Sequence, residues 1–461
     1  MDYDLLVIGS GPAGERGAAQ AAYFGKRVAV VEREEELGGA AVNTGTLPSK
    51  SLRETALFLS GYRQRELYSV TVNVDPALAI PKLLSRKDSV REMEMERIRW
   101  NLERHGIDLI QGSARLVDGH TVAVAQTGGG RRLITAEFIL VATGSTPFHP
   151  AGIDFSDPAI NDSDSILHID KMPERLVILG GGVIGSEYAC VFATLGARVT
   201  LVESHGNLLE FLDAEISDAL SSGMARLGID LRLGDSAANV RREAAEVVIG
   251  LASGGDVRCD RLLYAAGRRG ATDGLGLEEI GVEVGRRGYL TVDKDYRTSV
   301  PSVLAAGDVI GFPLLASTSM EQARVAVCHA FGWSYRHDVA SLLPYGIYTI
   351  PEVSCVGLTE SAAAAAGLEV ACGRAPYQQN VRGKLIGDTE GMVKLVFDRT
   401  TRRLVGTHVI GDRATELVHT GQAIMSLGGT VDTLIDMVFN HPTLSECYKY
   451  AAYDALRQLD G

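Results

Sequence analysis

Two glycine-rich turns, each followed at the same distance by a glutamate, are the residues of this 461-residue chain best placed to do chemistry. The first reads Gly9-Ser10-Gly11-Pro12-Ala13-Gly14 and leads to Glu32. The second reads Gly180-Gly181-Gly182-Val183-Ile184-Gly185 and leads to Glu203. Gly9, Gly14, Gly25 and Glu32 match Gly180, Gly185, Gly196 and Glu203 at a constant offset of 171, and each glutamate stands 18 residues past the third glycine of its turn. In such a G-x-G-x-x-G turn the first glycine permits a tight bend and the second lets a pyrophosphate touch the backbone. The third brings helix and strand together, and the helix N-terminus lends positive partial charge. Gly9, Gly11 and Gly14, and Gly180, Gly182 and Gly185, are therefore expected to hold two dinucleotides, with Glu32 and Glu203 accepting hydrogen bonds from ribose hydroxyls. Two dinucleotides in one chain suggest a prosthetic flavin and a diffusible nicotinamide, because one can reduce the other. Glu203 is followed by Ser204, His205 and Gly206 with no arginine at hand, which favours NAD over NADP at the second turn; Arg268 or Arg269 is the alternative anchor for a 2′-phosphate.

The elements that must position these turns repeat with them. An apolar run over residues 3–8 enters the first turn, a helical stretch leaves it, and a second apolar run over 27–31 ends at Glu32. Residues 176–179, a helical stretch and 198–202 do the same around the second turn. The run 138–142 ending in Thr143-Gly144-Ser145 predicts a buried strand closing the first unit, and 83–105 predicts an amphipathic surface helix. The Pro- and Asp-rich stretch 147–164 reads as a linker, strands resume at 262–270 and 303–308, and the segment after Pro344 has strands at 393–397 and 404–410 with two helices, an α+β unit.

Composition supports a large folded protein: 46% hydrophobic and 22% charged residues, with 52 glycines, about 11% against roughly 7% in ordinary proteins. A net charge of −13 gives no electrostatic support for binding nucleic acid or a membrane surface. No apolar stretch reaches the roughly 20 residues that cross a bilayer, and the start lacks a positive leader region, so a cytoplasmic location is expected. The six cysteines, Cys190, Cys259, Cys328, Cys355, Cys372 and Cys447, form no close pair and read as scattered core thiols, with no metal site.

With the segments 38–50, 267–273 and 346–353 added to the two turns, the chain resembles the pyridine nucleotide-disulfide oxidoreductase family, and within it the soluble, flavin-containing NAD(P) transhydrogenases. The resemblance covers essentially the whole chain. It implies an α/β protein with two Rossmann-like (three-layer ββα/α-type) dinucleotide-binding domains and a C-terminal α+β dimerisation domain. It divides the chain into an FAD-binding domain at 1–150, an NAD(P)-binding domain at 151–275, a central segment at 276–343 that returns to the FAD domain, and a dimer-interface domain at 344–461. The implied assembly is a homodimer. The implied cofactors are FAD and NAD(H), with NADP(H) a second candidate. Gly39, Thr46, Gly144 and Gly267 fall on the family's cofactor-binding segments. Asp308 matches the aspartate that contacts the FAD ribitol, Lys50 the lysine beside the flavin N5, and Glu187 its ionic partner. A cation near N5 suits an electron-rich ring, and a glutamate keeps that ammonium charged in a low-dielectric pocket.

Two departures bear on activity. Ala41 and Thr46 stand where the disulfide reductases carry their two redox cysteines, so relay of electrons through a dithiol is ruled out. Threonine at the second position fits the transhydrogenases, although those relatives often keep the first cysteine. His441 and Glu446 match the proton-handling dyad of the disulfide reductases, where transhydrogenases more often have tyrosine. The leading expectation is transhydrogenase-like hydride transfer through flavin, with Lys50, Glu187, His441 and Glu446 as catalytic residues. The alternative is an NAD(P)H-dependent flavin reductase or dehydrogenase of a small organic substrate or quinone, bound where the cysteines would be, with His441 as acid/base. A third reading, a non-enzymatic redox sensor, sits poorly with two intact turns.

Overall fold

Residues 5–8 and 28–31 are buried on both faces, which demands cover above and below and so favours a parallel sheet inside a layered α/β unit. The computed structural model describes residues 1–62, 67–68, 76–335 and 337–459. Two units are present, one of Met1–Ser51, Leu84–His149 and Gly267–Ala340, the other of Leu52–Leu83, Pro150–Ala266 and Ser341–Gly461.

In the first unit, Tyr3–Ile8 lies between Val28–Glu32 and Arg131–Val141, all parallel, and Asp108–Leu116 and Val303–Ala305 extend the sheet at its two sides. Successive side chains point to opposite faces. Leu5 and Val7 pack on the helical side with Ala18, Ala21, Ile98, Leu102 and Val327. Leu6 and Ile8 pack on the other side with Leu116, Val122, Val124 and Ile134, where Asp108–Leu116, Thr121–Gln126 and Arg131–Val141 form an antiparallel meander. The result is the expected three-layer ββα arrangement.

The helix expected at 83–105 runs over Pro76–Arg104, and it is more than a surface scaffold. Glu15, buried at the start of the helix Pro12–Tyr23, accepts hydrogen bonds from Arg97 Nη1 (3.0 Å), Arg97 Nη2 (3.1 Å) and Asn101 Nδ2 (2.8 Å). A buried carboxylate requires such partners, and Ile98 and Leu102 join the same core.

The second unit repeats the plan. Arg175–Leu179, Arg198–Glu203, Asp230–Leu233, Arg261–Tyr264 and Ile160–Asn161 form an all-parallel sheet, and a three-stranded antiparallel layer from Ala237–Glu243, Glu246–Leu251 and Asp256–Cys259 shares its core. The stretch 147–164 is therefore not wholly a linker, because Ile160–Asn161 completes this sheet beside Leu262 and Leu263; two residues are too few to show a strand period. The C-terminal segment is an antiparallel sheet of five strands, Tyr345–Ile347, Val353–Gly357, Val370–Pro376, Met392–Asp398 and Leu404–Ile410. It carries Ala414–Ser426 and Glu446–Leu459 as its longer helices and three helices of six residues, Glu360–Ala365, Val381–Ile386 and Val431–Asp436. The six-residue helices escape sequence reading because fewer than two turns give no periodic signal.

Candidate functional site

Parallel register fixes where the first site forms. Ile8 aligns with Val31 and with Val141, and Val141 with Ala305, so Gly9, Glu32, Ala142 and Ala306 all leave the sheet at its carboxyl edge, where open α/β sheets bind ligands. Gly9 has a φ of +102°, and a Cβ there would fall 2.5 Å from the Ala142 carbonyl oxygen. A Cβ on Gly14 would fall 1.9 Å from the Gly9 carbonyl oxygen, whereas one on Gly11 would meet nothing nearer than 4.0 Å. The outer two glycines are thus required by packing and the middle one leaves the helix N-terminus accessible, as a pyrophosphate needs. Gly39 closes the same turn, its Cβ position 3.2 Å from the Gly11 Cα.

Glu32 is 7% exposed. Its Oε2 accepts from Ser10 N (2.8 Å) and Ser10 Oγ (2.7 Å), and its Oε1 from Arg33 N (2.8 Å) and Glu34 N (3.0 Å). Ser10 Oγ also accepts from Gly38 N at 2.9 Å. One serine thereby ties the acid, the turn and the Gly38–Gly39 segment together, a role that its place as a variable position in the motif conceals.

A polar chain lies at the same edge. Ser145 Oγ donates to Asp308 Oδ2 (3.0 Å) while Arg268 Nε and Nη2 donate to Ser145 Oγ and O, both at 2.8 Å. Burial pushes the Asp308 carboxyl above its ordinary range, against the pull of the Ser145 hydroxyl and the Arg268 charge. Gly144 has a φ of +72° and its carbonyl accepts Ala271 N at 3.0 Å. Gly267, at +122°, accepts Phe148 N at 3.1 Å. Arg268 is thus engaged with Ser145, and Arg269 pairs with Asp273 at 2.5 Å; both lie in the first unit.

The segment 38–50 forms two helices, Gly39–Asn43 and Thr46–Ser60. Thr46 opens the second and is exposed, Ala41 is half-buried, and Lys50 lies one turn further on, its Nζ 3.3 Å from Ser49 Oγ. No thiol stands at either position 41 or 46, and the six cysteines are buried and form no disulfide. Burial pushes the thiols of Cys190, Cys259, Cys355, Cys372 and Cys447 up to about 12, so at neutral pH they are not nucleophiles.

The second turn copies the first atom for atom where packing decides. Leu179 aligns with Val202 and Tyr264. Gly180 has a φ of +109°, a Cβ on Gly185 would lie 1.9 Å from the Gly180 carbonyl oxygen, and one on Gly182 would meet nothing within 4 Å. Glu203, 9% exposed, accepts Gly181 N on Oε2 at 2.6 Å, as Glu32 accepts Ser10 N. On Oε1 it accepts Ser204 Oγ (3.0 Å), His205 N (2.9 Å) and His205 Nδ1 (2.6 Å). Burial works to raise the Glu203 pKa; the N–H groups of His205 and Gly181, with the two side chains, overcome it and leave the carboxyl below its usual value. The basic neighbour of Glu203 is therefore a histidine, His205, in place of an arginine. An ionisable residue two positions past the acid was the available signal.

Also in the second unit, Glu187 is buried in the helix Val183–Thr194, and its Oε1 accepts Tyr348 N at 2.9 Å. Arg53, on the helix that carries Lys50, is equally buried and donates from Nε to the Thr349 carbonyl (3.1 Å) and from Nη2 to Glu352 (3.1 Å). The structure brings His441 and Glu446 together: Nδ1 lies 3.0 and 3.1 Å from the two carboxylate oxygens, and Thr443 N donates to Oε2 at 3.2 Å. With Nδ1 engaged, Nε2 is the remaining ring nitrogen of a side chain that is 63% exposed. The turns at Gly9–Gly14 and Gly180–Gly185, each with an accessible helix N-terminus and a bonded acid, fit FAD and a nicotinamide nucleotide.

The family described as pyridine nucleotide-disulphide oxidoreductase matches residues 3–330, and its dimerisation domain matches residues 343–452. The chain is 44% identical over 459 residues, covering 99% of it and 98% of the relative, to the soluble pyridine nucleotide transhydrogenase of Mycobacterium bovis (strain BCG / Pasteur 1173P2). It is 39% identical over 462 residues, 100% of this chain and 98% of the other, to that of Pectobacterium atrosepticum. Among solved structures, the HOCl-induced flavoprotein disulfide reductase RclA of Escherichia coli superposes with a TM-score of 0.88 at 28% identity, covering 98% of this chain and 99% of that one. LpdA of Mycobacterium tuberculosis gives 0.89 at 29%, covering 97% and 99%. Among the described residues no helix is long and apolar enough to cross a membrane.

Proposed function

The chain belongs to the pyridine nucleotide-disulphide oxidoreductase family, and on that premise we propose that it is a homodimeric, cytoplasmic transhydrogenase-like enzyme, moving hydride between NAD(H) and NADP(H) with FAD as the carrier. The observation that carries the reading is the pairing of two intact dinucleotide turns with alanine and threonine at positions 41 and 46. The domain bounds proposed above give the first turn to FAD and the second to the nicotinamide.

Bound FAD would supply the chemistry, accepting hydride from one nicotinamide and giving it to a second at the same site. The chain's own residues bind and orient. Gly9, Gly14 and Gly39 let the turn close and Gly11 leaves room for the FAD pyrophosphate, Glu32 receives its ribose, and Asp308, placed by Ser145 and Arg268, receives its ribitol. Thr46, Gly144 and Gly267 shape the backbone beside it. Gly180, Gly182, Gly185 and Glu203 repeat the first duties for the nicotinamide nucleotide. Lys50 contributes positive charge and Glu187 negative charge in the roles that the family likeness gives them. The test is anaerobic exchange of hydride between NADPH and an NAD analogue. Exchange is expected, and none at millimolar nucleotide rejects the reading.

The geometry of His441 and Glu446 favours a second reading. An exposed imidazole oriented through Nδ1 by a carboxylate is equipped to exchange protons through Nε2 with a small organic substrate or quinone. Under it, His441→Ala abolishes turnover of that substrate while NADH still bleaches the flavin. Unchanged turnover removes His441 from the mechanism.

A further inference from the structure

Glu203 alone would repel the 2′-phosphate that distinguishes NADP from NAD, yet the reaction proposed above requires that both be admitted. Glu203 Oε1 lies 2.6 Å from His205 Nδ1, and Glu210 Oε2 lies 3.8 Å from His205 Nε2. His205 is thus the cation-forming group between two carboxylates, and its side chain is 59% exposed, so it can turn outward without opening the core. Arg268 and Arg269 are engaged with Ser145 and Asp273 in the first unit.

We propose that His205 is the specificity residue of the second turn: its imidazolium neutralises Glu203 and pairs with the 2′-phosphate of NADP(H), so coenzyme choice follows the protonation of one side chain. This rests on the reading of the second turn as the nicotinamide site. With a neutral imidazole, two carboxylates confront a phosphate of charge near −2. With a charged one, the excess negative charge falls by one, and the phosphate gains a donor two residues past the acid, close to where an arginine serves NADP-specific turns. The hydrogen bond to Glu203, followed by the charges of Glu210 and Glu203, holds the imidazole pKa above its usual 6.5. The cation is therefore present below that raised value and lost as pH climbs through it, which places the change above pH 6.5.

The test compares adenosine 2′,5′-bisphosphate with adenosine 5′-monophosphate, which differ only in the 2′-phosphate, by calorimetric titration of the FAD-loaded protein at about pH 6 and about pH 9. The ratio of their affinities is expected to fall about tenfold between these values in the parent, the worth of one partly exposed charge-assisted contact. His205→Gln should give a low ratio at both. His205→Arg should hold a high ratio, showing only the phosphate's own titration near pH 6. A parent-like ratio and pH profile in His205→Gln, or a parent-like fall in His205→Arg, overturns the proposal, and the arginine variant decides alone if the glutamine variant does not fold. Because no hydride moves in this measurement, failure of nucleotide exchange with an intact ratio condemns the transhydrogenase reading only. Failure of both ligands to bind overturns the assignment of the second turn and the proposal with it.

Discussion

The two glycine turns are copies in backbone and differ in what holds the acid. In each, the third glycine's missing Cβ would sit 1.9 Å from the first glycine's carbonyl, and the residue after the first glycine donates its N–H to the glutamate. Glu32 is then completed by the Ser10 hydroxyl and two further backbone N–H groups, none of which titrates. Glu203 is completed by Ser204 and by both nitrogens of His205 that can reach it, its backbone N–H and ring Nδ1. A permanent set of donors suits a cofactor that stays, and a protonatable one suits ligands that come and go in two charge forms. Duplicated geometry with divergent acid partners is what a resident and a visiting nucleotide call for.

The largest expected effect breaks the comparison at its shared part. Gly14→Ala and Gly185→Ala should each cost about 3 kcal/mol, because the new methyl meets backbone that cannot yield. Gly14→Ala should come out with little FAD, and Gly185→Ala should stay yellow but lose its response to NADH. Absorbance of the purified variants checks this, and the reverse pattern would exchange the two assignments. A smaller effect sharpens the difference. Ser10→Ala removes a donor to buried Glu32 and an acceptor for Gly38 N, so about 1–3 kcal/mol should be lost in urea unfolding, with weaker FAD retention. Ser10→Gly, which imitates Gly181, should cost about as much; a neutral result would mean that the hydroxyl contributes nothing to the acid's placement.

The smallest effect concerns pH. Glu203 has its folded pKa below 4.5, so its contribution is present above 4.5 and lost as pH falls through the folded value. His205 has its folded pKa above 6.5, so its contribution is complete below 6.5 and lost as pH rises through the folded value. The stability advantage of the parent over Glu203→Gln should therefore be greatest between about pH 4.5 and 6.5 and shrink on both sides. Melting temperature against pH for both proteins reads this, and a flat difference would show that the ion pair does not bear on stability.

Much of the molecule was legible beforehand. The turns, their glutamates and the strands around them follow from short continuous apolar runs and from glycine spacing, which are local properties. The short strand Ile160–Asn161 and the six-residue helices were not legible, because elements of that length exist only through their neighbours. Glu15 was similarly hidden: its partners Arg97 and Asn101 are more than eighty residues away, and nothing local marks a first-turn glutamate as buried. The dyad was read as a pairing of types, and the fold supplied the contact of His441 with Glu446.

The sequence by itself determined that two dinucleotide turns exist, that each ends in an acid, and that no cysteine pair stands between positions 41 and 46; these are facts of residue type and spacing. Tertiary structure alone decided which groups hold those acids. Hydrogen bonds among Ser10, Gly38 and Glu32, and between His205 and Glu203, depend on where the chain turns after each strand. The charge a nucleotide meets is set by such through-space partners, over distances of about 3 Å that no spacing along the chain encodes.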